Sequence, residues 1–231
     1  MRNILKILLL LTTLFICNQC TKPCVENQIA VFKLTPEELK INPYMGNEIL
    51  TYKNFKGDSI VFPQGDRKTY VEEVHKISPS DAKEYYNGCE GDYFDKDRNM
   101  MKKFTENFQT RFDINLFSLY TFDNPTNNKE FELNFYADVN SQPDGDWFNG
   151  HFLFKVDTIF NRAGLGDSIV SYHSMFSIGP KTFFNVYELF CVNPDDRNNE
   201  WFSIAYYSIK TGLVGFKTNN GITWYLDKDS K

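Results

Sequence analysis

Residues 131–139 read Phe-Glu-Leu-Asn-Phe-Tyr-Ala-Asp-Val, and this stretch decides the fold class. The odd positions from 131 to 137 are apolar, whereas the even positions from 132 to 138 are polar or, at Tyr136, aromatic. A period of two places alternate side chains on opposite faces of an extended chain. The stretch therefore predicts a half-buried β-strand with one face in a core and the other in water.

Similar stretches follow one another along the chain, and short turn-forming segments separate them. No ~10–15-residue helical pattern stands between consecutive strands, which argues against a parallel βαβ architecture. We expect a mainly β protein, an antiparallel meander of roughly ten strands that forms an up-and-down barrel or a two-sheet sandwich. The joints are Gly164-Leu165-Gly166, Gly179-Pro180, Asn193-Pro194-Asp195, Thr211-Gly212 and Asn220-Gly221.

Local signals place further elements before the meander. Thr35-Pro36-Glu37-Glu38 has the residues of a capping box with proline at the first helical position, so we predict a short helix over 36–40. A second short helix is predicted over 79–87, and 92–99 is predicted to be a charged loop. Lys56-Gly57 predicts a hairpin between strands 48–53 and 58–62, and Asn220-Gly221 predicts a two-residue turn with positive φ at both positions.

Residues 1–24 have the three parts of a secretory signal: a basic start, an apolar run over 7–16, and a polar segment that contains Cys17, Cys20 and Cys24. The apolar run is too short to span a bilayer, which takes ~20 apolar residues. Because cysteines stand where cleavage is expected, the segment resembles the signal of a bacterial lipoprotein, whose first mature residue carries lipid. The resemblance implies lipidation, for example with palmitate, at Cys20, with Cys17 as the alternative.

This interpretation sets the domain organisation. Residues 1–19 are the predicted signal peptide, 20–45 the lipid-attachment site with a tether and an irregular lead-in, and 46–231 a single β-rich domain. The expected location is the cell envelope, with the protein anchored by its N-terminal lipid to the outer membrane on its periplasmic or surface face.

Charge and cysteine usage exclude several classes of partner. The formal net charge is -5 and becomes -7 once Arg2 and Lys6 are removed with the signal. A negative chain without a basic block argues against nucleic acid and against electrostatic docking on anionic lipid. Cys24, Cys89 and Cys191 would remain, enough for one disulfide of undetermined pairing. Because they show no CxxC spacing, no zinc site and no cofactor are predicted.

One acidic run has the spacing of a calcium loop. Asp95, Asp97, Asn99 and Glu106 occupy positions one, three, five and twelve of an EF-hand-like segment. Met100 stands at the sixth position, where the sharp turn of such a loop requires glycine. The alternative interpretation is a solvated charged loop.

A repeated string, Gly57-Asp58-Ser59-Ile60-Val61 and again residues 166–170, is similar to the nucleophile block of GDSL-type esterases. That family also needs an aspartate three residues before a histidine, and His75, His151 and His173 all lack it. Without a base and an orienting acid, a serine is an ordinary hydroxyl. No catalytic residue is therefore predicted.

Aromatic residues make up 16% of the chain, and most are expected in the core. Trp147, Trp201 and Trp224 stand near turns rich in Asp and Asn, which suits stacking on a sugar ring. The sequence thus predicts an exported, lipid-anchored envelope protein, more readily a non-enzymatic binding or structural module than an enzyme. A hydrolase of an envelope or extracellular polymer is the alternative. A carbohydrate or a protein is the candidate ligand, and the ligand, membrane leaflet and oligomeric state stay open.

Overall fold

The computed structural model describes residues 27–75, 92–105, 110–118, 129–137, 150–156, 169–191 and 202–230. The predicted signal peptide, Cys20 and the helix predicted over 79–87 lie outside these residues. By its contacts the chain divides into two compact units, Met1–Val31 with Glu73–Asp95 and Phe32–Glu72 with Lys96–Lys231. Within the described residues, no helix is long and apolar enough to cross a membrane.

The described elements are thirteen strands and one short helix, α1 (Pro36–Leu39). The strands are β1 (Asn27–Phe32), β2 (Ile49–Asn54), β3 (Ser59–Phe62), β4 (Gln64–His75), β5 (Asp92–Phe104), β6 (Thr110–Ser118), β7 (Lys129–Ala137), β8 (Gly150–Lys155), β9 (Ile169–Ile178), β10 (Lys181–Phe190), β11 (Phe202–Ser208), β12 (Gly212–Thr218) and β13 (Thr223–Ser230).

The strands form two sheets, and this confirms the predicted mainly β fold. The first sheet has the order β1-β5-β6-β7-β8, with β4 also paired to β5, and the second has the order β3-β2-β13-β12-β11-β10-β9. Consecutive strands from β5 to β8 and from β9 to β13 are antiparallel neighbours, which is the expected meander. Of the two architectures that the sequence left open, the structure has the sandwich.

The two sheets pack through aromatic rings in the second unit. Phe112 of β6 meets Phe62 of β3 edge to face with ring centroids 5.0 Å apart, and Phe131 of β7 lies 4.7 Å from Tyr207 of β11. Phe135 of β7, the central residue of the alternating stretch, is fully buried. Edge-to-face and tilted pairs add to the energy of burial, so these rings hold the sandwich together.

The polar side of β6 and β7 is buried, and the prediction of a water-facing side was wrong. Asp113 of β6 and Asn134 of β7 are cross-strand partners, and both are only 2–3% exposed. Within β6, Arg111 Nε lies 3.1 Å from a carboxylate oxygen of Asp113. Sequence alternation identifies two faces, but what covers each face depends on tertiary contacts.

The predicted helix and first hairpin are confirmed. Thr35 accepts a hydrogen bond from the backbone N–H of Glu38, and the Glu38 carboxylate accepts one from the backbone N–H of Thr35, which completes the capping box. Strands β2 and β3 pair antiparallel around Gly57, whose φ of 95° is easily adopted only by glycine.

The last turn differs from the predicted two-residue form. Gly221 N–H donates to the Thr218 carbonyl at 2.9 Å, and Thr218 N–H donates to the Ile222 carbonyl at 3.0 Å, so Asn219, Asn220 and Gly221 form a three-residue loop. Gly221 has a φ of 82°, but Asn220 has no positive φ. This is the hairpin in which a type I turn precedes one left-handed residue.

Candidate ligand-binding cleft

Of the three tryptophans proposed as a sugar platform, the structure describes one, Trp224. Trp147 and Trp201 lie outside the described residues. Trp224 lies on β13, half buried, and its ring stacks on buried Phe216 with centroids 6.0 Å apart. In this position Trp224 packs against the core, so the platform as a set of three stays a prediction.

The candidate calcium ligands lie on a strand. The predicted loop over 92–99 was wrong, because β5 carries Asp95, Asp97 and Asn99 in extended conformation. A strand rises ~3.3 Å per residue, so the first and last of these are ~13 Å apart along it, whereas calcium ligands lie ~2.3–2.6 Å from one ion. Asp97 instead accepts a hydrogen bond from the backbone N–H of Leu34 at 3.0 Å. Glu106 lies outside the described part of the chain, within which no group of three acidic, histidine or cysteine residues could hold a metal.

Two of the three histidines each face their own glutamate. His151 Nε2 lies 3.7 Å from Glu132, and His173 Nε2 lies 3.1 Å from Glu188. Burial alone would raise the pKa of Glu132, but the nearby His151 lowers it below its ordinary value. His151 lies on β8 and His173 on β9, which belong to different sheets. The side chain of His75 is not among those that the structure describes.

Ser171 completes a cluster that the sequence did not predict. Its Oγ lies 2.9 Å from His173 Nε2 and donates to Glu188 Oε2 at 2.6 Å. In a Ser-His-acid triad, hydroxyl and carboxylate engage opposite ring nitrogens of the histidine. Here both face Nε2, so the acid cannot orient the imidazole toward the serine as a triad requires. Ser59 of the repeated string is an exposed residue on β3, and Ser168 is not described.

The second unit contains an open cleft of about 720 Å³. Its wall is contributed by α1 and the segment after it, by β4, by the hairpin β9–β10 and by the turn after β11. The lining residues are Pro36, Leu39, Lys40, Asn42, Pro43, Met45, Arg67, Tyr172, Asn185, Tyr187, Ile209 and Lys210.

Two buried residues, Ile41 and Tyr44, anchor the segment that forms one wall of the cleft. Ile41 is fully buried, and its carbonyl accepts a hydrogen bond from the hydroxyl of Tyr207 at 2.6 Å. The Tyr44 hydroxyl accepts from the backbone N–H of Leu213 at 2.7 Å. Burial raises the pKa of Tyr207 well above its ordinary value, so this donor stays protonated. The anchors hold the segment that presents Asn42, Pro43 and Met45 to the cleft.

The facing wall contains a residue with left-handed backbone. Asn185 of β10 has a φ of 53°, and among the described residues it is the one non-glycine residue with a positive φ. The hydroxyl of Tyr172 on β9 donates to Asn185 Oδ1, and the rings of Tyr172 and Tyr187 lie 5.2 Å apart. Asparagine adopts left-handed backbone more readily than most non-glycine residues, and such conformations recur at functional sites.

The lining is positively charged although the chain is acidic. Lys40, Arg67 and Lys210 line the cleft, and the described lining includes no Asp or Glu. The whole chain has 30 acidic and 25 basic residues, so this distribution departs from the composition. Lys40 has a partner outside the lining, Glu37, at 4.0 Å, and both side chains are largely exposed.

The sequence predicted parts of this cleft but not the cleft itself. The capping box and the Thr211-Gly212 turn were recognisable, because both are local signals. The positive φ of Asn185 and the meeting of α1 with β9–β10 depend on strand order, for which the sequence carried no signal.

Comparisons of the chain with protein-family models, with curated proteins and with solved structures find no match.

Proposed function

We propose that the chain is an exported, lipid-anchored envelope protein that acts as a non-enzymatic binding module, with the cleft as its ligand site. The cleft carries the proposal: its volume of about 720 Å³ falls within the ~300–1,000 Å³ of small-molecule sites. Its lining combines apolar residues with a few polar ones, as such sites do.

Export and anchoring are supported by the signal segment and by Cys20. One acyl chain gives marginal membrane binding, whereas two anchor a protein stably. We expect mass analysis of the membrane-extracted protein to find a mature chain that begins at lipid-modified Cys20. A chain beginning at Cys17 would move the site, and an unmodified, freely soluble mature chain would contradict the anchoring.

Binding is favoured over polymer hydrolysis by the composition of the cleft. Most glycoside hydrolases place two carboxyl groups ~5–9.5 Å apart around the bond they cleave. The described cleft lining has three cations and no carboxylate. The Ser171 cluster also differs from a triad in its use of the histidine nitrogens.

Ligand-dependent stabilisation of the detergent-extracted, full mature protein tests the proposal. A ligand at 100 times its Kd stabilises by ~2.7 kcal/mol, which raises Tm by ~5–10 °C in a domain of this size. We expect such a shift with a member of a panel of envelope and extracellular polysaccharide fragments, without release of new reducing ends. Release of new ends would favour the hydrolase, and no shift with any fragment would contradict the binding function.

A matched pair of variants locates the site. Met45 lines the cleft and is 72% exposed, whereas Met175 lies outside the lining and is 64% exposed. Met45→Trp should abolish the shift by filling the cleft, and Met175→Trp should retain it. The opposite pattern would place the ligand elsewhere.

A further inference from the structure

We propose that the ligand of the cleft is a carboxylate-bearing saccharide, of the uronic-acid class. This inference rests on the proposed binding function and adds the chemical class of the ligand. It follows from three features of the lining: its charge, the donors that remain for a ligand, and the polar groups beside the apolar wall.

The charge of the lining selects an anion. Lys40 lies 4.0 Å from Glu37, whereas Arg67 and Lys210 have no carboxylate partner among the described residues. These two charges favour an anion in the cleft, where low-dielectric walls concentrate the field. The ammonium group of Lys210 makes no ion pair with any residue in the described ranges, and its side chain is exposed at the turn after β11. A neutral ligand would gain little from this positive charge, whereas a carboxylate would be attracted to it.

Arg67 provides directional recognition. Its Nη1 donates to the Tyr44 carbonyl and lies 3.6 Å from Met45 Sδ, which fixes the guanidinium at the cleft wall. Its Nε and Nη2 donate to no acceptor among the described residues. A guanidinium whose stem is fixed and whose other donors remain suits the planar geometry of a carboxylate.

The remaining lining favours a polyhydroxylated ligand over an alkyl acid or a bare ion. Asn42 is 1% exposed and donates through Nδ2 to Asn99 at 2.9 Å, but its Oδ1 has no hydrogen-bond donor among the described residues. A buried acceptor without a donor costs ~1–3 kcal/mol, and a ligand hydroxyl would relieve that cost once the cleft wall moves enough to expose Asn42 Oδ1. Asn185 uses Oδ1 for the Tyr172 hydroxyl, which leaves its Nδ2 to donate.

Tyr172 and the apolar residues account for the rest of the ligand. A sugar ring has an apolar C–H face that stacks on an aromatic ring, and Tyr172 lines the cleft beside Asn185. Leu39 and Pro43 contribute apolar surface to the same lining. The combination matches a sugar acid: one apolar face, several hydroxyls and one carboxylate.

Paired ligands test the charge. The probes are oligogalacturonate fragments and the same fragments with their carboxylates methyl-esterified, titrated against the full mature protein in detergent by calorimetry. We expect the acid form to bind at least tenfold more tightly, and its affinity to fall as salt rises from ~20 to ~200 mM because the charges lie partly in solvent.

Matched variants test the residues. Lys210→Glu should weaken acid binding about tenfold, because it replaces an attraction with a repulsion of similar size. Lys56→Glu makes the same change at an exposed turn lysine outside the cleft and should leave the affinity within about twofold. Asn185→Gly removes the amide at a position whose φ suits glycine, so it should weaken binding while Tm stays unchanged or rises.

The outcomes separate this inference from the proposed function. Equal binding of the acid and ester forms, or binding of the ester alone, would overturn the anionic ligand but keep the binding module. Binding of dodecanoate or inorganic phosphate without oligogalacturonate would keep the anion and overturn the saccharide. Equal losses in Lys210→Glu and Lys56→Glu would overturn the cleft as the site of charge recognition.

Discussion

Replacement of Lys103 by Met should lower the free energy of unfolding more than a substitution at the nearby surface does. Lys103 lies on β5 and is fully buried, and its Nζ donates to the carbonyls of Gly46 at 3.0 Å and Glu48 at 2.5 Å. It also lies 3.4 Å from the Glu48 carboxylate, which is itself nearly buried. These contacts hold the segment that ends at Met45, a residue of the cleft lining.

The magnitude follows from what the substitution leaves behind. Removing one partner of a buried ion pair costs ~3–5 kcal/mol, because the other charge stays buried without a counter-charge. Glu48 keeps two backbone donors, the N–H groups of Met45 and Gly46, so the unpaired charge should cost no more than ~3 kcal/mol, with a small addition from the carbonyls that lose their donor. Methionine retains much of the aliphatic stem, so loss of packing contributes little.

Urea denaturation of the mature protein measures the change. We expect Lys103→Met to lower the free energy of unfolding by ~3 kcal/mol at unchanged m. Adding Glu48→Gln should recover ~1 kcal/mol or more, because no unpaired charge then remains. Lys102→Met is the matched control: Lys102 is adjacent on β5 and only half buried, and its loss should change stability by less than ~0.5 kcal/mol. Equal effects of Lys102→Met and Lys103→Met would refute the argument from the buried pair.

Three further predictions concern backbone and titration. Gly221→Val should destabilise by ~1–2 kcal/mol through φ alone, because φ is 82° and no atom lies within 4 Å of an added Cβ; unchanged urea unfolding would contradict this. Gly215→Ala should lower the free energy of unfolding by ~1–3 kcal/mol, because the added Cβ would lie 2.6 Å from the Trp224 carbonyl oxygen. A melting temperature equal to that of the wild type would exclude that contact. Burial alone would raise the pKa of Glu48, but backbone hydrogen bonds from Met45 and Gly46 and the charge of Lys103 lower it. Its contribution to stability is therefore present above the unfolded pKa of ~4.3 and lost as pH falls through the folded pKa. The stability difference between wild type and Glu48→Gln should shrink between pH ~6 and ~3, and a constant difference would contradict the linkage.

Local sequence signals predicted most of the β meander because turns and alternation are local properties. Gly179-Pro180 joins β9 to β10 as a two-residue turn, with Ile178 opposite Lys181 and a φ of 60° at Gly179. A two-residue hairpin turn of type II′ has glycine at its first central position, the place that Gly179 occupies here. The capping box at Thr35 is a second signal of this kind, complete within four residues.

The charged run over 92–99 was predicted as a loop because Asp, Lys and Asn are rare in strands. Neighbouring strands override that preference: β5 pairs with β1, β4 and β6. The charges are matched across the sheet, since Lys96 and Arg98 lie 3.4 Å and 3.3 Å from the Glu72 carboxylate. Pairing of this kind depends on residues more than twenty positions away, so a window of sequence cannot show it.

The cleft was missed for a related reason, and Asn185 shows how. Along β10, Phe184 and Asn185 are both exposed and Val186 and Tyr187 are both buried, so the period of two fails at Asn185. Its positive φ coincides with this break, and both Asn185 and Tyr187 line the cleft. A sequence pattern identifies regular strands and therefore fails where a strand departs from regularity.

That departure has a cost, which depends on the residue at position 185. Beyond Asn185 the hairpin tip packs on neighbouring strands: an added Cβ at Gly215 would lie 2.6 Å from Ile178 Cδ1, and the Phe176 ring stacks 4.7 Å from Tyr206. These contacts would be available to a hairpin with glycine at 185, which adopts the same φ at lower cost. Packing of the hairpin tip therefore does not by itself require asparagine at this position. The amide gives a reason that glycine lacks, because it accepts a hydrogen bond from the Tyr172 hydroxyl and lines the cationic cleft, and asparagine adopts left-handed backbone more readily than most residues.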